Sequence, residues 1–79
     1  MDGKKLVAMA NQIASFFATE PVRAIAIEGV TGHIKRFWEP RMRRELLAMH
    51  DAGTAAGLHE LVGEALRTQR AKLEPVVRG

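Results

Sequence analysis

Apolar side chains recur at intervals of three and four positions along four successive stretches of this chain, which places them on one face of an α-helix. The first stretch covers about 4–19 and the second about 22–38. The third begins at Pro40 and reaches about 49–51, and the fourth covers about 58–72. No stretch alternates apolar and polar residues as a strand does. The pattern therefore predicts an all-α fold, a small bundle of three to four short helices.

Proline and glycine mark where the predicted helices end. Glu20-Pro21 ends the first, because proline disfavours helical geometry in the residue before it. Pro40 separates the second helix from the third and is well tolerated at a first helical position. Gly53 is placed to cap the third helix, and we expect a flexible loop from there to Gly57.

The length of 79 residues is enough for one domain. We predict a single helical domain over 1–79, with a core from about 4 to 72 and a frayed tail over 73–79. Gly29 and Gly32 each cost about 1 kcal/mol relative to alanine inside a helix. Both fall away from the apolar face, which indicates either the close approach of another backbone or a weak helix, and we favour the weak helix.

The residues that carry most enzyme chemistry are absent or scattered. Without cysteine the chain has no disulfide, thiolate metal ligand or cysteine nucleophile. No two of its three histidines are three or four positions apart, so we interpret each as a surface or boundary residue. The only serine, Ser15, has no strained turn around it. We therefore predict no catalytic, cofactor-binding or metal-binding residue and rank a free-standing enzyme last.

The compartment is indicated by the same composition. Small secreted domains usually need disulfides, so a chain this short without cysteine favours a reducing compartment, the cytoplasm. No stretch approaches the roughly 20 apolar residues that a membrane helix needs. We also expect no signal peptide, because Lys4 and Lys5 precede no unbroken apolar run.

The positive charge is concentrated in one place. From Lys35 to Arg44 the chain has five basic residues and one acid, whereas the other 69 residues have seven basic and eight acidic ones. The basic segment, which we define as His33–Arg44, also contains the only tryptophan, Trp38. Phe37 and Trp38 lie on the apolar face of the predicted second helix, so we expect both to pack in the core.

The arginines of the basic segment are predicted to fan around the third helix. Arg41 and Arg44 share one side, whereas Arg43 projects beside Leu47. Leu47 falls outside the inner apolar stripe, which indicates a second buried surface. Arginine beside an aromatic residue is typical of interfaces, while a solvated face favours lysine and glutamate. We therefore favour a binding surface over a merely solvated basic helix.

Three stretches resemble one known family, the delta subunits of the cytoplasmic, molybdenum-containing, NAD-dependent formate dehydrogenases. They are Leu6–Ile13 with Phe16-Phe17, the basic segment His33–Arg44, and Gly57-Leu58 through Leu61-Val62 to Ala65-Leu66. The middle stretch is the specific one, since tryptophan, proline, methionine and three arginines at fixed spacing seldom recur by chance. The outer two are mostly apolar periodicity.

The resemblance implies a non-catalytic accessory subunit. Its complex interconverts formate and carbon dioxide and is expected to carry molybdenum cofactor, iron–sulfur clusters, FMN and NAD, none of them in this chain. The implied partner is the large catalytic molybdenum subunit, and the implied role is assembly or stability of the complex, including maturation of that subunit. The predicted partner-binding residues are Asn11, Gln12, Arg36, Trp38, Pro40, Arg41, Arg43, Arg44 and Leu47. The alternative is a small nucleic-acid-binding module using the same basic patch, which the fanned arginines disfavour.

Overall fold

The computed structural model describes residues 2–75, and within them every regular element is an α-helix. The helices are α1 (Gly3–Phe17), α2 (Arg23–Phe37), α3 (Pro40–Ala52), α4 (Glu60–Thr68) and the single turn α5 (Arg70–Leu73). The all-α prediction is confirmed, with four longer helices forming the bundle. None of these helices is long and apolar enough to cross a bilayer.

Local signals set most of the helix ends. The Asp2 carboxylate accepts a hydrogen bond from the Lys4 N–H (3.0 Å) and caps α1. Pro40 occupies the first turn of α3, where its missing N–H costs nothing. Gly53 ends α3 in the left-handed conformation (φ 71°), as predicted, because only glycine adopts it without a Cβ penalty.

The fourth predicted helix differs from the observed one. It begins at Glu60, two residues late, and breaks at Gln69, whose backbone (φ −115°, ψ 25°) leaves the helical region. Beyond the break, α5 carries Leu73 into the core, where it is fully buried. The predicted start of the frayed tail was therefore wrong for Leu73, because burying this leucine fixes the last turn. Residues 76–79 of that tail lie outside the described residues.

The core is formed by one apolar face of each helix. α2 is the central element and packs against α1, α4 and α5. The largest fully buried side chains come from all five helices: Leu6, Val30, Ile34, Leu46, Val62, Leu66 and Leu73. At about 25 cal/mol per Å² of buried apolar surface, such side chains supply most of the stability of a small bundle.

Gly29 of α2 lies against the ring of Phe17 from α1. A Cβ at this position would lie less than 3 Å from three ring atoms of Phe17. At Gly32, one turn further on, a Cβ would meet nothing within 4 Å. The weak-helix interpretation was therefore wrong for Gly29, which leaves room for an aromatic ring of the neighbouring helix.

Candidate functional site

The basic segment forms a bend between two helices. It covers the last turn of α2, an extended pair at Trp38 and Glu39, and the first turn of α3. The backbone N–H of Trp38 donates to the Ile34 carbonyl (2.9 Å), and the residue is only 6% exposed. The core prediction for Trp38 is confirmed, so this predicted partner-binding residue stabilises the bend from inside and offers little surface for a direct contact.

The exposed arginines of this segment project from both helices. Arg36, Arg41 and Arg44 are exposed, as is Pro40. Arg43 is half-buried, and its Nε is buried without a hydrogen-bond partner among the described residues. The arginines thus fan around the bend, with Arg43 turned toward the chain itself.

Ion pairs within the described residues leave the basic segment out. Arg23 pairs with Glu64, its Nε donating at 2.7 Å. Arg70 donates both terminal nitrogens to the Asp51 carboxylate, at 2.8 and 2.7 Å, and its Nε to Glu74 at 3.2 Å. The hydrogen bonds from Arg70 hold the pKa of Asp51 below its usual value. Four of the chain's arginines, those at 36, 41, 43 and 44, form no ion pair over residues 2–75.

Two further predicted contact residues serve the chain's own fold. Leu47 is 4% exposed, so the buried surface that it joins in the described residues is the interior of this bundle. Asn11 donates from Nδ2 to the Gly57 carbonyl (2.9 Å) and accepts at Oδ1 from the His59 N–H (2.8 Å). Its amide therefore ties α1 to the loop before α4, which leaves Gln12 as the exposed residue of the pair.

An exposed apolar groove lies beside the basic segment, and the apolar periodicity of the helices did not predict it. We call it the α1–α2 groove, and it consists of two adjoining depressions of about 350 and 280 Å³. Both are lined by Gln12, Ile13 and His33. The first adds Phe16 and Phe17, and the second adds Met9, Phe37, Trp38 and Met42.

Phe16 and Phe37 are the most exposed large apolar residues of the groove, at 72% and 66%. The core prediction for Phe37 was therefore wrong. Each belongs to an adjacent aromatic pair, and neighbours in a helix point about 100° apart. Only Phe17 and Trp38 turn inward. Two adjacent aromatic residues of one helix cannot both face the same core. Applied to each pair, this rule could have predicted the exposed surface from the sequence.

The histidines lie at the boundary of the bundle or on its surface. His59 caps α4, its Nδ1 accepting from the Leu61 N–H at 3.0 Å, and His50 is half-buried beside the same loop. His33 is exposed and lies 4.8 Å from Phe37, centroid to centroid. Over residues 2–75, no three side chains of the metal-ligating types come together in a way that could hold an ion.

Comparison with known proteins identifies one family. The model of the family described as NADH-dependent formate dehydrogenase delta subunit FdsD matches residues 5–66, which contain α1, α2, α3, most of α4 and the whole basic segment. No curated protein sequence and no solved structure gives a match. Because the family match extends over most of the 79 residues, this chain belongs to the family of NADH-dependent formate dehydrogenase delta subunits.

Proposed function

We propose that this chain is a non-catalytic accessory subunit that docks on the large molybdenum-containing subunit of a formate dehydrogenase and supports assembly and stability of the complex. The family match supports a place in such a complex. The observation that carries the docking role is that all four arginines of the basic segment lack an ion pair over residues 2–75, in a segment that also exposes Phe37. Arginine and aromatic residues, phenylalanine included, are enriched at protein interfaces relative to the rest of the surface.

The electron-carrying groups of the complex are proposed to reside in other subunits. The chain has no cysteine, so it cannot ligate an iron–sulfur cluster through thiolates. FMN, NAD and the molybdenum cofactor bind in enclosing pockets whose polar groups converge on the ligand, and a bundle of this size has little room for such a pocket. Helping the molybdenum subunit to mature is one form that the accessory role takes in this proposal.

Nucleic-acid binding is the competing function for the same arginines. Phosphate recognition needs several cations along one surface. Arg43 is half-buried, which reduces the exposed arginines of α3 to Arg41 and Arg44. The exposed Phe37 of the same segment favours a protein partner, since most hydrogen-bonded contacts to DNA go to phosphate and sugar.

Purification of a tagged chain from its native host tests the proposal. We expect the catalytic molybdenum subunit to be recovered with the tag and identified by mass spectrometry. In a strain lacking this chain, we expect less intact complex but unchanged turnover per molybdenum in what remains. Recovery of no formate dehydrogenase subunit, or formate turnover by the purified single chain, would contradict the proposal.

Charge reversal at exposed arginines distinguishes a loss of partner binding from a loss of the fold. Arg41→Glu with Arg44→Glu changes two exposed side chains that form no ion pair in the described chain, so helix content should stay constant. We expect recovery of the catalytic subunit to fall. Arg67→Glu with Lys72→Glu, two exposed cations on α4 and α5 that also lack an ion pair among the described residues, makes the same change in net charge and is the matched control. Equal loss from both variants would show that net charge, and not this patch, governs recovery.

A further inference from the structure

The α1–α2 groove exposes three large apolar side chains to water. Phe16, Phe37 and Met9 are 72%, 66% and 36% exposed, and all three line the groove. Single exposed apolar residues are ordinary, but a contiguous cluster marks an interaction surface. Large aromatic side chains at such a position are those whose loss costs most binding energy.

The fold holds this groove in shape before any partner arrives. Gly29 lets the ring of Phe17 lie against α2, and Phe16 packs edge-on to Phe17 with centroids 5.0 Å apart. On the other wall, Phe37 packs against His33 at 4.8 Å. Both exposed rings are therefore supported by a neighbour, which lowers the entropy lost on binding.

The dimensions of the groove suit a short helix. Met9 and Phe16 are seven positions apart on α1, or roughly 10 Å of helix length at 1.5 Å per residue. That length accommodates about two turns of a partner helix, which would place its own apolar face between α1 and α2.

Charge selects the kind of partner. Arg36 is exposed one turn after the groove residue His33, and Lys5 is exposed one turn before Met9, so both cations lie on the helix faces that line the groove. Glu39 and Glu45 are the nearby acids in sequence, and the stretch from 35 to 45, which contains both, still carries a net charge of +3. A second copy of this chain would bring the same cations face to face, and like charges across an interface are unfavourable.

We propose that the α1–α2 groove receives an amphipathic helix of the catalytic subunit, about two turns long, with carboxylates flanking its apolar face. This inference rests on the proposed function and specifies the surface through which it acts. Phe16 and Phe37 supply the apolar contacts. Arg36 and Lys5 pair with the carboxylates.

Purification of the tagged chain with substitutions in the groove tests this inference. Phe16→Ser with Phe37→Ser should lower recovery of the catalytic subunit by about tenfold or more, the size expected for losing hot-spot residues. The matched control is Val22→Ser with Ile25→Ser, which removes two half-exposed apolar side chains that do not line the groove. Circular dichroism of each purified variant confirms that the helices are retained.

The two proposals fail in different ways. If the unsubstituted chain recovers no formate dehydrogenase subunit, the proposed function is wrong. If it recovers the catalytic subunit and the Phe16→Ser, Phe37→Ser variant recovers as much, only the groove inference is wrong.

Photo-crosslinking identifies the occupant directly. Benzoylphenylalanine in place of Phe37 in the assembled complex should crosslink to a helical segment of the catalytic subunit that contains aspartate or glutamate beside apolar residues. A crosslink to another copy of this chain, to a basic segment, or to nucleic acid would overturn the inference. So would the absence of any crosslink in a complex that still co-purifies.

Discussion

Replacing Gly29 and Gly32 separately by alanine measures how closely the Phe17 ring of α1 packs against α2. Alanine is favoured over glycine inside a helix by about 1 kcal/mol at either position. At Gly32 the new methyl group meets nothing within 4 Å, so we expect the full gain in the free energy of unfolding. At Gly29 the methyl group would overlap the Phe17 ring, and overpacking of this kind costs about 1–3 kcal/mol. The two variants should therefore differ by about 1–3 kcal/mol, with Gly29→Ala the less stable.

Urea unfolding followed by circular dichroism measures this difference, because helix loss is the dominant signal of an all-α chain. For a domain of this size each kcal/mol corresponds to about 4–8 °C in Tm, so thermal unfolding gives an independent value. Adding Phe17→Leu to Gly29→Ala should recover part of the loss by removing the ring that the methyl group meets. If Gly29→Ala stabilised the chain as much as Gly32→Ala, the claimed close approach of Phe17 would be refuted.

Three further substitutions test other contacts of the fold. Asn11→Ala removes two hydrogen bonds between α1 and the loop before α4 and should cost about 1–3 kcal/mol in urea unfolding, with exposed Gln12→Ala near neutral as its control. Leu73→Ala should cost about 2–5 kcal/mol in the same assay, whereas a frayed residue would cost almost nothing. The pKa of Asp51 is lowered by Arg70, so its stabilisation is complete above the unfolded-state pKa and is lost as pH falls below about 4. Asp51→Asn should therefore flatten the acid side of the stability–pH curve, and an unchanged curve would show that the Arg70 contact does not stabilise the fold.

The helix ends marked by proline or glycine were predictable, because these residues act on the backbone conformation of their immediate neighbours. Pro40 and Gly53 bound α3 as predicted, and Glu20-Pro21 follows α1 closely. The break at Gln69 has no such mark. It exists because Leu73 is buried in the core beyond it, a tertiary contact that no periodicity within one helix reveals.

The candidate site was predicted in part for a related reason. Charge counting found the basic segment, and apolar periodicity placed Trp38 in the core. Which member of each aromatic pair turns inward depends on how the helices pack, and for Phe17 that packing is against Gly29 of α2. Asn11 looked available for a partner because its hydrogen bonds span 46 and 48 positions along the chain. A helical projection shows which residues share a face of one helix, so it does not reveal contacts between distant parts of the chain.

Affinity purification of the catalytic molybdenum subunit from the native host, followed by mass spectrometry for this chain, tests the docking role most directly. A delta subunit that docks on its partner should co-elute with the catalytic subunit in a fixed ratio, and Phe16→Ser with Phe37→Ser should remove it from the eluate. Complete absence of the unsubstituted chain from the purified complex, in cells that contain it at normal levels, would contradict its role as a docked accessory subunit.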